Sequence, residues 1–294
     1  MARGPDRNVR TACRVGAILG EGPVWVAREQ ALWFVDIKQQ QVHRFYPATA
    51  ILRTWPAPAQ IGWVLPARGG DFVAGLQTGL ARFSPQTGAY APIFDPDPEH
   101  PGNRLNDATT DRDGRIWCGS MDDAEAVETG RLHICDEHGT RDSGLLAVAI
   151  TNGPAFSPDG RTLYHTDTLG RTIHAVPVGD DGTLGRPALF VEIERGAGYP
   201  DGTTIDSEGC LWTGLYSGWG VRRYAPDGAL IEAIAFPTAN ITKIAFGGPD
   251  LKTAYATSAR KGLDATALAQ QPEAGNLFTF DVDVPGLPLT EAAV

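Results

Sequence analysis

Leu105-Asn106-Asp107 leading to Asp113-Gly114, Thr151-Asn152-Gly153 leading to Asp159-Gly160, and Pro200-Asp201-Gly202 leading to Glu208-Gly209 are three copies of one pattern. In each copy an oxygen-bearing side chain, at Asn106, Asn152 or Asp201, stands eight residues before the turn glycine. An aromatic-bearing strand follows: Ile116-Trp117, Leu163-Tyr164, Leu211-Trp212. Equal phase in a repeat means equal position in space. If the repeats are arranged radially, the three side chains converge on one axis.

Weaker copies extend the pattern. Gly22-Pro23-Val24-Trp25 leads to Leu32-Trp33-Phe34-Val35, Gly62-Trp63-Val64-Leu65 to Gly70-Asp71-Phe72-Val73, and Thr242-Lys243-Ile244-Ala245 to Ala254-Tyr255-Ala256. Six units of about 40 to 50 residues, each made of short alternating runs split by Gly, Asp and Pro turns, are the signature of an all-β fold, a six-bladed β-propeller. Hairpin pairs complete the units, as at Val221-Arg222-Arg223-Tyr224 before Ala225-Pro226-Asp227-Gly228, where Asp-Gly supplies the positive φ such turns need. The 35 glycines and 22 prolines are spread along the turns and form no linker. The chain therefore reads as a single closed propeller domain over residues 1–294, with residues 1–10 as a tail. Closure calls for residues around Thr11 to Ala17 to complete the sheet containing Leu277 to Val282, because an unpaired edge is costly.

A net charge of −10 repels polyphosphate, and no Lys/Arg cluster interleaved with aromatics offsets it, which argues against a nucleic-acid partner. The longest apolar stretch, Leu145 to Ile150, is far too short to span a bilayer, and no apolar segment follows the polar start of the chain. A cytoplasmic protein with no membrane partner is expected. Cys13, Cys118, Cys135 and Cys210 show no CxxC spacing, and most of them read as buried free thiols.

Four residues are candidates for the axis: Glu21, matched in phase only approximately, with Asn106, Asn152 and Asp201. Carboxylates and amides make an all-oxygen site with roughly two negative charges, suited to a hard or borderline divalent cation and unlike a thiolate zinc centre. Asn and Asp before Gly are also ordinary turn residues, but not at one register in every copy. The six histidines are scattered, and no Gly-x-Ser-x-Gly elbow is present. The pairs Asp122-Asp123 and Asp180-Asp181 read as solvated loop residues.

Taken in order, Glu21-Gly22-Pro23-Val24-Trp25, Arg104-Leu105-Asn106-Asp107, Gly119-Ser120-Met121, Thr151-Asn152-Gly153 and Pro200-Asp201-Gly202 resemble the motifs of the regucalcin/gluconolactonase family over about residues 12 to 285. The resemblance implies a metal-dependent sugar lactone hydrolase whose partner is a small sugar lactone, and within the family the chain looks like a bacterial xylonolactonase. It also implies the roles: metal ligands Glu21, Asn152 and Asp201, substrate-binding residues Arg104 and Asn106, and Asp201 as catalytic general base. The cofactor would be one divalent cation with oxygen ligands, Fe2+, Mn2+, Mg2+, Ca2+ and Zn2+ all being compatible. Relatives of the regucalcin type carry glutamates shortly after Gly-Thr-Met in the third blade, where this chain has Asp122-Asp123-Ala124-Glu125. Two other readings stay open: a calcium-binding, regucalcin-like module without catalysis, and a paraoxonase-like arylesterase.

Overall fold

Alternating runs pair with their sequence neighbours, so each unit folds into its own four-stranded antiparallel sheet, and there are six. The structure, a computed structural model, describes residues 7–294. Blade 1 comprises Gly20–Val26, Ala31–Asp36, Gln41–Tyr46 and Ile51–Pro56. Blade 2 comprises Ile61–Pro66, Phe72–Leu76, Gly79–Ser84 and Ala89–Phe94, and blade 3 Asn103–Thr110, Ile116–Asp122, Leu132–Asp136 and Gly139–Asp142. Blade 4 comprises Thr151–Phe156, Thr162–Asp167, Thr172–Pro177 and Ala188–Glu192, and blade 5 Tyr199–Ile205, Leu211–Tyr216, Gly220–Tyr224 and Leu230–Ala235. Blade 6 combines Ile241–Gly247, Thr253–Ser258 and Leu277–Asp281 with Arg10–Cys13 from the start of the chain. The first strand of every blade contacts the first strands of both neighbours, closing the ring as a six-bladed β-propeller.

Apolar side chains fill the wedges between blades. Trp33 packs on Phe72 and Phe83 between blades 1 and 2, and Trp212 on Phe246 and Phe280 between blades 5 and 6. Three of the buried tryptophans are also clasped by an acid and an arginine. The Nε1–H of Trp117 donates to Asp111 Oδ2 at 2.9 Å, which also accepts from Arg115 at 2.6 Å. Asp206 does the same for Trp212 and Arg223, and Glu29 for Trp33 and Arg44. An otherwise costly buried indole N–H is thereby satisfied.

The closing strand is Arg10–Cys13, antiparallel to Leu277–Asp281. It begins and ends earlier than the sequence suggests, because Val15 and Gly16 donate instead to Asn276 Oδ1 and Ala17 to the Gly275 carbonyl. Of the tail read over residues 1–10, residues 1–6 lie outside the described residues. Arg7 bridges Glu232 and Asp283, at 2.6 and 2.8 Å. Removing residues 1–13 bares the edge of blade 6 and leaves the Glu232 carboxylate buried without its cation. The expected cost is on the order of 3 kcal/mol, a drop of about 10 °C in Tm. An unchanged melting curve for that truncation would show that this strand does not hold the ring closed.

At the opposite end, residues 285–294 run across the base of the ring. Ser207 donates to the Pro285 carbonyl, Thr110 to Thr290, Ala293 to Gly114, and Ala292 to Pro66. Leu287 to Glu291 cover a cavity of about 570 Å³ on the axis, walled by Val24, Trp63, Ala108, Ala155, Ile205 and Ile244.

Candidate functional site

Every first strand carries a register slip, where it gains one residue over its partner. In blade 1 the pairing jumps from Glu21↔Val35 to Val24↔Trp33, in blade 4 from Asn152↔Thr166 to Ala155↔Tyr164, and in blade 5 from Asp201↔Gly214 to Thr204↔Trp212. Such a bulge re-aims the residue before it. Glu21, Asn152 and Asp201 thus occupy one structural position, and each is followed by a glycine at positive φ, 55°, 44° and 48°. A Cβ on Gly153 would meet Thr203 N at 2.2 Å, and one on Gly202 would meet Lys243 Cβ at 2.3 Å. Only glycine lets the first strands approach this closely.

Asn106 is the exception. In blade 3 the slip falls between Leu105 and Ala108, so Asn106 lies within the bulge, one place beyond the others. Its Oδ1 accepts from Arg104 Nη1 at 2.7 Å and its Nδ2 donates to the Thr151 carbonyl at 2.8 Å. The side chain acts as a brace for Arg104 against blade 4. Asp107, also in the bulge, reaches the axis, accepts from the Gly153 N–H at 2.9 Å, and pairs with Lys243 from the bulge of blade 6. Both members of that pair are buried.

Arg104 is 3% exposed. Its Nε donates to Asp123 at 2.9 Å, and Asp123 also accepts from Lys38 of blade 1 at 2.6 Å and from Gln60 at 2.9 Å. Burial would raise the Asp123 pKa, but the hydrogen bonds from Gln60 and Lys38 and the charges of Arg104 and Lys38 hold it down to about 2. Asp123 is therefore no free solvated loop residue; it anchors the guanidinium. Asp122 is not solvated either, since it is buried and gathers the N–H groups of Ala124, Ala126 and Val127. The other such pair, Asp180-Asp181, is exposed as expected.

Charge on the axis can now be matched. Lys243 offsets Asp107, and Asp123 and Lys38 surround Arg104, while among the described residues neither Glu21 nor Asp201 has a salt bridge. Burial foremost, and then the charge of Asp107, pushes Glu21 up to about 8. Burial and then the charges of Glu21 and Asp107 raise Asp201 well above the usual carboxylate range. Asn152 donates to Asp201 and to Thr168, and its Oδ1 accepts from the Gly153 N–H. Among the described residues no three His, Cys, Asp or Glu side chains form a metal-binding group. The axial set differs in kind: two buried carboxylates lacking a counter-ion, plus an amide. That donor set fits a divalent cation with oxygen ligands, whose charge would neutralise both acids.

A serine hydrolase geometry does not form. Ser120 Oγ lies 3.2 Å from His133 Nε2, but Asp97 approaches the same nitrogen at 4.0 Å, and Ser120 is fully buried. A working triad needs the acid on the other ring nitrogen. The cysteines are free thiols, with Cys118 and Cys135 facing each other at 3.9 Å between sulfurs. No helix among the described residues is long and apolar enough to cross a membrane.

Asp107, Lys243, Lys38 and Lys261 escaped sequence reading. The signal for Asp107 and Lys243 was present, since both are charged residues at the second place of the two-residue slot, which holds Pro23, Pro154 and Thr203 in blades 1, 4 and 5. A 6-deoxy-6-sulfogluconolactonase of Pseudomonas putida is 34% identical to this chain over 284 residues, covering 96% of this chain and 97% of its own. A pentonolactonase of Haloferax volcanii is 33% identical over 293 residues, covering 96% of each chain. Among solved structures, a calcium-binding protein, regucalcin, of Agrobacterium tumefaciens matches with a TM-score of 0.95 at 26% identity, over the whole of both chains. The family described as SMP-30/Gluconolactonase/LRE-like region matches residues 19–260, and the chain belongs to that family.

Proposed function

We propose that this protein is a sugar lactonase, opening an aldonolactone to the aldonic acid with one divalent cation held by Glu21, Asn152 and Asp201, and that its substrate is a pentonolactone, D-xylonolactone. The observation that carries the reading is the pair of buried, uncompensated carboxylates beside a buried, braced guanidinium. Lactonase relatives aligned along nearly the whole chain support the substrate class, and a pentonolactonase among them supports the pentose. Four free thiols fit a reducing compartment, and we propose the cytoplasm.

Bound at this site, a divalent cation would polarise the lactone carbonyl and stabilise charge developing on its oxygen. The protein's own residues do the rest. No acceptor among the described residues takes the Nη2 of Arg104, which leaves that arm of the fork for a sugar hydroxyl or the carbonyl oxygen. Asn106 keeps the fork in place. Asp201 accepts a proton from the attacking water as the C–O bond forms, then returns it to the ring oxygen as the acyl C–O bond breaks. A polar sugar rewards a buried guanidinium, whereas an apolar aryl ester would leave it unpaired.

The test is a lactone panel on protein of measured metal content. D-xylonolactone, L-arabinonolactone and D-gluconolactone are followed by acid release at constant pH, beside a chromogenic aryl ester. Fastest turnover is expected with the pentonolactones, and only when metal is present. Turnover of the aryl ester alone would replace this reading with the arylesterase one, and metal binding without turnover of any substrate would leave a binding module.

A further inference from the structure

The strongest unassigned feature is an ion pair across the mouth of the site. In a closed ring of six blades, blades 3 and 6 stand opposite each other. Glu125, on the connection between Ile116–Asp122 and Leu132–Asp136 of blade 3, pairs with Lys261, which follows Thr253–Ser258 of blade 6 and is 136 positions away in sequence. A contact between opposed blades must cross the axis, above Glu21, Asn152 and Asp201. The floor of the same chamber is the Lys243–Asp107 pair, contributed by the same two blades.

The two ends of the roof pair are held differently. The backbone of Lys261 is fixed: its N–H donates to Ile18 at 2.8 Å, and its carbonyl accepts from the Tyr216 hydroxyl at 2.6 Å and from Asn240 at 2.9 Å. The Glu125 segment is anchored at its base, where Asp123 meets Arg104, Lys38 and Gln60. Glu125 itself stands at φ 58°, in the left-handed region that a non-glycine residue keeps only where its surroundings impose it. The side chains of Lys261 and Glu125 are 31% and 35% exposed, so the pair sits at the solvent boundary, where ion pairs are weak and readily exchanged for water. The turn that carries Glu125 is itself folded on Asp122, whose carboxylate accepts from the N–H groups of Ala124, Ala126 and Val127, and the ion pair ties that turn to a fixed post on the opposite blade, the construction of a latch.

We propose that the Glu125–Lys261 pair is a specificity-determining latch, which admits monosaccharide lactones and excludes lactones bearing a second sugar on the ring substituent. The assignment of substrate class rests on the lactonase reading above. Neither residue is in the catalytic machinery; the pair sets how much of the substrate can extend past the roof.

The experiment compares the wild type, Lys261→Met, Glu125→Gln and the charge-exchanged double variant Glu125→Lys/Lys261→Glu, all metal-loaded. The readouts are kcat/KM for D-xylonolactone and for the lactone of an aldobionic acid, and hydrogen exchange over residues 124–130 without substrate. Each single variant is expected to raise the ratio of disaccharide to monosaccharide kcat/KM at least tenfold and to speed exchange, and the double variant to return both toward wild type. Unchanged exchange in the single variants would show that the pair holds nothing. Faster exchange with a ratio within twofold of wild type would show that it opens without governing size, and failure of the double variant to restore the ratio would likewise overturn the proposal. If the wild type turns over neither lactone, the lactonase reading itself fails and the size claim with it, an outcome distinguishable because exchange is read without substrate.

Discussion

With metal in excess, Asp201→Asn should lower kcat by about 10² or more while KM changes little. The amide keeps the shape and one oxygen of the carboxylate, so the hydrogen bond network with Asn152 and the Gly202 N–H can persist. It cannot accept the proton of the attacking water. Loss of an interaction made only in the transition state reduces kcat and kcat/KM together, which is the pattern predicted. If saturating metal restores most of kcat, Asp201 serves only to hold the cation. The base must then be another acid facing the chamber, and Asp123, tied to Arg104 and Lys38, is poorly suited to move protons.

The second large effect is on stability, in chelator. Glu21 has a folded-state pKa raised from 4.5 to about 8. A raised pKa means that stability is fully present below the unfolded value and is lost as pH rises through the folded one. Metal-free protein should therefore weaken between about pH 4.5 and 8, by on the order of 3 kcal/mol from this group. His165, which burial holds neutral with a pKa lowered from 6.5 to about 4, acts in the opposite sense at the acid end. The clean readout is consequently the difference between wild type and Glu21→Gln. At pH 8 in chelator the variant should melt higher by roughly 5–10 °C, at pH 5 the two should coincide, and added divalent metal should raise the wild type at pH 8 far more than the variant. Equal melting temperatures at pH 8 in chelator would mean that Glu21 carries no uncompensated charge.

The legible part of the site was what a repeat writes locally. Asn152 and Asp201 could be aligned because the turn glycine follows each at the same interval, and the aromatic strands after them do fall next in their blades. Counting from the turn misjudged the other two candidates. In blade 1 the turn contains a short 3-10 helix, Ala27–Glu29, which hides the fact that Glu21 is in full register. In blade 3 the bulge comes one residue earlier, so Asn106 leaves the phase that the count assigns it. Register is set at the bulge and not at the turn, and bulges have no fixed composition. Which residues pair with Arg104 and Asp107 was illegible for a different reason. Lys38, Gln60 and Lys243 come from blades remote in sequence, and a closed ring brings such residues together without any local spacing to announce it. The clasp on Trp117 and Trp212 was in plain view, as an aspartate six residues before each, but its meaning depends on the arginine opposite.

The Lys243–Asp107 pair and the glycine-to-strand contacts beside it also determine traffic. A buried ion pair crosses the axis at that depth, so on the proposed reading a substrate reaches Glu21, Asn152 and Asp201 from the Glu125 side. On that reading a lactone enters neutral and leaves as an anion from the face that carries Arg104 and Lys38. Arrival of the next substrate would then wait on departure of the last acid, and the pace of turnover would be set at the threshold as much as at the chemistry.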